Sequence, residues 1–94
     1  MFNMNKQLLK ETINNENVII LFSADWCGAC KAANPYVQKI VERLRFKFIK
    51  IEENEELEQE YGVDYYPHLI LASKGKTKHY PGGNEIKSLY ESII

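Results

Sequence analysis

The feature that most restricts the fold of this chain is an apolar strand pattern that leads directly into a pair of cysteines. Val18 to Phe22 form an unbroken apolar run, rich in β-branched side chains, of the kind found in strands covered on both faces. Cys27 and Cys30 follow closely, and apolar residues then recur at helical spacing, at Ala33, Val37, Ile40, Val41 and Leu44. The two cysteines are therefore predicted to lie in a loop that opens a helix.

This position of the cysteines favours redox chemistry. A helix N-terminus presents free N–H groups and roughly half a positive charge, and both lower the pKa of a thiol there. Residues three apart on a helix are neighbours, so the two sulfurs can form a disulfide with little backbone movement. That disulfide closes a very small loop and contributes only about 2 kcal/mol, which suits a bond that opens and closes. Gly28 and Ala29 leave the first sulfur accessible, and Trp26 offers an apolar surface beside it.

Three other uses of the cysteines agree less well with the sequence. A structural disulfide is disfavoured by the small loop and by a reducing cytosol, where paired cysteines are more often catalytic, sensing or metal-binding. Zinc needs about four ligands, and the chain offers two thiols with His68 and His79 but no second CxxC pair. A cysteine–histidine hydrolase, with His68 approaching Cys27, leaves Cys30 without a role.

The length and charge of the chain disfavour several classes of protein. Its 94 residues predict one domain, residues 1–94, with a single modest core. The formal net charge of −1 gives no electrostatic footprint for nucleic acid. No apolar stretch approaches the roughly 18 to 20 residues of a membrane span. The N-terminal segment lacks the apolar region and cleavage site of a secretory signal, so we expect a cytoplasmic protein.

Helical and strand periodicities alternate along the chain. They predict the order α-β-α-β-α-β-β-α, and thus a mixed four-stranded sheet with helices on both faces. The predicted helices lie near residues 4–13, 30–44, 55–61 and 86–94, and the predicted strands near residues 18–22, 46–51, 69–71 and 77–80.

Several motifs in this order resemble the thioredoxin family. "FSADWCGACKAANP" is similar to the family's active-site segment, and "YGVDYYPHLIL" is similar to the segment that carries its cis-proline. "KGK" resembles the family's hairpin turn, and "YPGGNEIKSLYESI" resembles its last helix. The resemblance implies a thioredoxin-like α/β fold and a thiol–disulfide oxidoreductase. Because the expected setting is cytosolic, we expect this enzyme to reduce disulfides in substrate proteins.

The same resemblance implies roles for individual residues. Cys27 is expected to be the nucleophile and Cys30 the thiol that resolves the mixed disulfide. The bond between Tyr66 and Pro67 is expected to be cis, with the backbone of Tyr66 placed to pair with an extended substrate. The expected docking residues are Trp26, Ala29, Tyr66, Pro67 and Gly82. No metal or cofactor is expected in the protein, which would work as a monomer with an external electron donor such as a thioredoxin reductase or the glutathione system.

The sequence departs from the family pattern in three ways. The family's first strand is expected to be absent or vestigial, because residues 1–4 are too few for it. The buried acid behind the second cysteine is replaced by Leu21, and the lysine that often pairs with that acid by Phe48. Gly28 and Ala29 stand between the cysteines where thioredoxins usually have glycine and proline. These departures bear on the redox potential and on how Cys30 loses its proton.

A rival interpretation is a binding module without catalysis. In one form of it, Cys27 and Cys30 from each of two chains hold a metal or iron–sulfur centre at a dimer interface. In another, the fold is only a scaffold, and the acidic segment from Glu52 to Glu60 contacts a partner.

Overall fold

A computed structural model describes residues 4–94 of the chain. Four helices and four strands occur in the order α-β-α-β-α-β-β-α, which confirms the order predicted from the sequence. The helices are α1 (Lys6–Asn15), α2 (Gly28–Leu44), α3 (Glu55–Tyr61) and α4 (Gly83–Ile93), and the strands are β1 (Asn17–Ser23), β2 (Lys47–Glu52), β3 (His68–Ser73) and β4 (Lys76–Pro81).

The four strands form one mixed sheet in the order β2-β1-β3-β4. Strand β1 pairs in parallel with β2 and antiparallel with β3, and β3 pairs antiparallel with β4 in a hairpin. All residues of β1 after Asn17 are buried, as the unbroken apolar run predicts for a central strand. The predicted thioredoxin-like sheet with helices on both faces is confirmed.

Alternate residues of β1 point into two separate cores, because side chains along a strand alternate between the faces of a sheet. Val18, Ile20 and Phe22 pack with residues of α1 and α3, and we call this side the α1/α3 face. Ile19 and Leu21 pack with residues of α2 and α4, on the α2/α4 face. The helix that begins at the cysteines is thus held against the sheet by its apolar stripe.

The start of the chain bears on the expected loss of the family's first strand. That prediction concerns residues 1–4, of which residues 1–3 lie outside the described part of the chain. Met4 and Asn5 are not in a strand. The side chain of Asn5 instead caps α1, accepting a hydrogen bond from the Leu8 N–H at 2.8 Å.

The sheet register brings two loops together beside the cysteines. Strand β1 ends at Ser23, and a tight turn, closed by the Cys27 N–H donating to the Ala24 carbonyl at 3.1 Å, leads into α2. Phe22 lies opposite His68 across the antiparallel pair of β1 and β3. The residues that precede His68 therefore lie next to the residues that follow Phe22, at the same edge of the sheet.

Candidate active site

Cys27 is the N-cap residue of α2. Its backbone is extended, and its sulfur accepts a hydrogen bond from the Cys30 N–H at 3.1 Å. The first turn of α2 contains no acidic residue, so no carboxylate in that turn opposes a negative charge on the sulfur. A free N–H and the helix dipole both stabilise a thiolate at this position. The predicted placement of the cysteines at a helix N-terminus is confirmed.

Cys27 and Cys30 are joined by a disulfide, with their Cα atoms 5.3 Å apart. Each residue is only 7% exposed. Since the sulfurs are bonded to each other, neither is available to a metal in this form. Within residues 4–94, no three histidine, cysteine or acidic side chains are grouped so that they could hold a metal ion.

A groove beside Cys27 is walled by aromatic rings. We call it the aromatic groove, and its lining residues are Trp26, Cys27, Glu58, Asp64, Tyr65 and Tyr66. Trp26 is 71% exposed and Tyr65 is 56% exposed, which is unusual for large aromatic side chains. The rings of Trp26 and Tyr66 lie 5.8 Å apart in a tilted arrangement. An exposed aromatic surface next to a reactive sulfur is a surface suited to binding another chain.

Two carboxylates fix the aromatic rings of this groove. The indole N–H of Trp26 donates to Glu53 Oε1 at 2.8 Å, and the hydroxyl of Tyr66 donates to Glu58 Oε2. Burial, the hydrogen bond to Glu58 and the negative charges of Glu58 and Glu53 raise the pKa of Tyr66 to about 12. The Tyr66 hydroxyl therefore keeps its proton and remains a donor at neutral pH.

Pro67 follows Tyr66 in the chain, and Gly82 lies beside the ring of Tyr65. The bond between Tyr66 and Pro67 is cis, as the resemblance implied. Pro67 is fully buried, and its carbonyl accepts a hydrogen bond from the Gly82 N–H at 2.8 Å. Gly82 has a φ of 86°, and a Cβ at this position would lie 3.6 Å from the Tyr65 ring. The backbone conformation favours glycine, whereas a Cβ would make only an ordinary contact with the ring.

Ala29 and Cys30 face two other surface pockets. Ala29 is exposed and lines a pocket with Tyr36, Gly83 and Lys87, on the side of α4. Cys30 lines a pocket of about 240 Å³ together with Leu21, Lys31 and Lys50 among others. The structure therefore brings Trp26, Cys27 and Tyr66 to one groove and places Ala29 in a neighbouring one.

The pocket behind Cys30 shows the effect of the missing acid. Leu21 is buried there at 3% exposure, and Phe48 packs against the core of the same face. Lys50 lies opposite Leu21 in the parallel register but points to its own partner, Glu52, at 3.3 Å. Leu21 thus contributes an apolar side chain to this pocket, which Asp25, Lys31 and Lys50 also line.

The two histidines pair with each other and not with the cysteines. His68 Nε2 lies 2.8 Å from His79 Nδ1, and the His68 ring meets Phe22 edge-on. His68 is buried on the α1/α3 face. Burial, and then the neighbouring His79, lower the pKa of His68, while Asp64 raises it by less. With His68 engaged in this pair, the structure gives no support to the alternative of a cysteine–histidine hydrolase.

The family model for thioredoxin matches residues 1–94. The chain belongs to the thioredoxin family. Thioredoxin from Mycoplasma pneumoniae is 34% identical over 77 residues, which cover 79% of this chain and 76% of that protein. Thioredoxin from Porphyra purpurea is 33% identical over 90 residues, with 90% and 84% covered. The oxidised crystal structure of mitochondrial thioredoxin 3 from Saccharomyces cerevisiae is 25% identical and covers 93% of this chain and 86% of its own, with a TM-score of 0.78.

Family membership and the Cys27–Cys30 disulfide together identify the chain as a thiol–disulfide oxidoreductase. Its fold is that of the thioredoxin structures. None of the helices within residues 4–94 is both long enough and apolar enough to cross a bilayer.

Four residues around the cysteines were not predicted from the sequence: Glu53, Glu58, Asp64 and Tyr65. Glu53 and Glu58 belong to the acidic segment from Glu52 to Glu60. The composition of this segment alone predicts a solvated helix face. A useful signal was available in Asn54, a good N-cap residue that places Glu53 just before α3. Nothing in the sequence indicated that Glu53 would reach Trp26, 27 residues earlier.

Proposed function

We propose that this protein reduces disulfide bonds in substrate proteins, with Cys27 as the attacking thiolate and Cys30 as the resolving thiol. The observation that supports this proposal most directly is the position of Cys27 at the N-cap of α2. There the sulfur accepts the Cys30 N–H, which favours its ionised form. Cys30 lies within the first turn of the helix, where its sulfur reaches that of Cys27.

The reaction consists of two exchanges. The Cys27 thiolate attacks one sulfur of the substrate disulfide, a bond between Cys27 and the substrate forms, and the other substrate sulfur leaves as a thiolate that takes up a proton. Cys30 then loses its proton and attacks the Cys27 sulfur. The second substrate sulfur leaves, and the Cys27–Cys30 disulfide forms. Two electrons pass from the dithiol to the substrate, so the structure represents the oxidised product state.

The aromatic groove is the proposed docking surface for the substrate. Trp26 supplies exposed ring surface beside Cys27, and the half-buried ring of Tyr66 lies against it. Ala29, in the neighbouring pocket, is small enough to leave the sulfur open on its other side. Pro67 and Gly82 were also predicted as docking residues. Because Pro67 is buried and its carbonyl accepts the Gly82 N–H, we assign these two a supporting role beside Tyr66 and Tyr65 instead of direct side-chain contact with the substrate.

The remaining parts of the proposal concern the setting of the reaction. We assign residues 1–94 to a single thioredoxin domain that works as a monomer, in the cytoplasm, on disulfide-containing proteins. The dithiol is regenerated by an external electron donor such as a thioredoxin reductase or the glutathione system. No cofactor within the protein is needed, because both exchanges use only the two sulfurs.

A trapping experiment tests the roles of the two cysteines. Reduced Cys30→Ser protein is mixed with a small disulfide-bonded protein such as insulin, quenched with acid and analysed by mass spectrometry. We expect a mixed disulfide at Cys27 to accumulate, because the second exchange cannot occur. The matched variant Cys27→Ser should trap nothing. Trapping by Cys27→Ser, or none by Cys30→Ser, would contradict the proposed roles.

The direction of electron transfer is tested separately by equilibrating the wild-type protein with glutathione. A reductase should have a redox potential well below about −180 mV. A value near or above −180 mV would identify an oxidase or isomerase instead.

A further inference from the structure

The charges around the active site are divided between its two sides. The aromatic groove next to Cys27 is lined by the carboxylates of Glu58 and Asp64, and Glu53 lies against Trp26. No lysine or arginine from residues 4–94 lines this groove. The pocket behind Cys30 contains Lys31 and Lys50, and the pocket of Ala29 contains Lys87, although Asp25 also lines the former.

Two of the three carboxylates on the groove side are held in place by hydrogen bonds. Glu53 has a φ of 47°, in the left-handed region that a non-glycine residue rarely adopts. This backbone conformation accompanies the side-chain contact with the Trp26 indole at 2.8 Å. Glu58 accepts a hydrogen bond from the Tyr66 hydroxyl through one oxygen. Because a carboxylate has two oxygens, each of these side chains keeps acceptor capacity for a further donor.

Aromatic faces and carboxylates together favour one kind of side chain. A lysine ammonium or arginine guanidinium is attracted to the face of tryptophan and tyrosine rings. Nearby carboxylates add a coulombic attraction that acts mainly on the association rate, because the groove is open to solvent. An acidic residue in the same place would meet three negative charges and would be repelled.

We propose that the aromatic groove selects disulfide substrates that carry a lysine or arginine beside the cysteine that Cys27 attacks. This inference rests on the proposed function, since it assumes that the substrate disulfide approaches Cys27 across the groove. It adds that the preferred substrate is positively charged near its disulfide. The residues that determine this preference are Glu53, Glu58 and Asp64.

Two synthetic peptides test the selection. Both contain one internal disulfide and have the same sequence, except that each cysteine is followed by lysine in one peptide and by glutamate in the other. We measure kcat/KM for their reduction by the wild-type protein, with the protein's dithiol regenerated chemically. In low salt we expect the lysine peptide to be favoured by about tenfold. In 1 M NaCl the ratio should fall to about twofold, because the Debye length shrinks to about 3 Å.

A pair of triple variants locates the selectivity. In the first, Glu53→Gln, Glu58→Gln and Asp64→Asn remove the three carboxylates of the groove side. In the second, Glu11→Gln, Glu42→Gln and Glu91→Gln remove three exposed carboxylates from α1, α2 and α4, with the same change in net charge. The low-salt ratio should fall to about twofold or less in the first variant and stay near tenfold in the second.

The outcomes separate this inference from the proposed function. Equal reduction of both peptides by the wild-type protein, or a preference for the glutamate peptide, would overturn the inference while leaving the oxidoreductase intact. A ratio that falls equally in both triple variants would show an effect of net charge and not of the groove. Reduction of neither peptide would contradict the proposed function itself. The peptide and salt comparison needs only the wild-type protein, so it stands even where a triple variant does not fold.

Discussion

The two faces of the sheet differ in where they keep ionisable groups. The α1/α3 face buries His68, which pairs with His79 at the hairpin edge. The α2/α4 face, which supports the helix of the redox pair, buries no histidine, lysine or carboxylate among residues 4–94. In the pocket that Cys30 lines, the buried side chain from that face is Leu21, and the exposed side chains include Asp25 and Lys50. The N-terminus of α2 therefore favours ionisation of Cys27, while the buried histidine lies on the other side of the sheet.

The largest effect is expected from placing an acid on the α2/α4 face, because this face would then also bury an ionisable group. Leu21→Asp puts a proton acceptor beside Cys30, and we expect it to speed release of the mixed disulfide near pH 7 by about tenfold or more. The same change should lower the free energy of unfolding by about 3 kcal/mol, because it replaces a buried leucine with a carboxylate. Stopped-flow mixing with a preformed mixed disulfide and urea unfolding measure the two effects.

Leu21→Asn provides the matched control for that substitution. It removes the same apolar contacts and introduces a polar group of the same size, but it cannot accept a proton at neutral pH. We expect a comparable loss of stability without faster release. If both variants release substrate at the wild-type rate, the leucine at position 21 does not limit resolution.

On the α1/α3 face, protonation of His68 should cause a smaller loss of stability, and this loss depends on pH. Because burial and His79 lower the pKa of His68, the unfolded chain binds more protons than the folded one just below pH 6.5. The stabilising contribution of neutral His68 is thus complete above about pH 6.5 and declines as the pH falls toward the folded-state pKa. The loss cannot exceed about 1.4 kcal/mol per pH unit.

Urea unfolding at pH 7.5 and pH 5.5 measures this effect, in a range where histidines are the main titrating side chains. His68→Gln should remove most of the difference between the two pH values. His79→Gln should retain most of it, because burial is the larger cause of the shift. A wild-type stability that does not change over this range would be evidence against a neutral, buried His68.

Most of the fold could be predicted because its signals are local. The apolar run of β1, the helical stripe after Cys30 and the glycine of the hairpin turn each lie within one element. The cysteines could be assigned for the same reason, since CxxC at a helix start is a short-range pattern. The family resemblance supplied the cis bond before Pro67, which no short-range signal indicates.

The parts that escaped prediction depend on contacts between distant segments. Trp26 meets Glu53 only because β1 and β2 run side by side, so that the residues following each strand reach the same edge. His68 and His79 meet because the hairpin register places His79 opposite Ile70, two residues along the strand from His68. The composition of the acidic segment gave no indication of which of its glutamates face the groove.

The ionisation of Cys27 is the central claim, and the pH dependence of alkylation in the reduced protein tests it most directly. Iodoacetamide labelling of each cysteine is followed by mass spectrometry between pH 5 and pH 10. We predict that Cys27 reacts with a pKa below about 7.5, well under the value of about 8.5 for a free thiol, and that Cys30 reacts only at higher pH. A Cys27 pKa at or above about 8.5, or an order of reactivity in which Cys30 ionises first, would contradict this account.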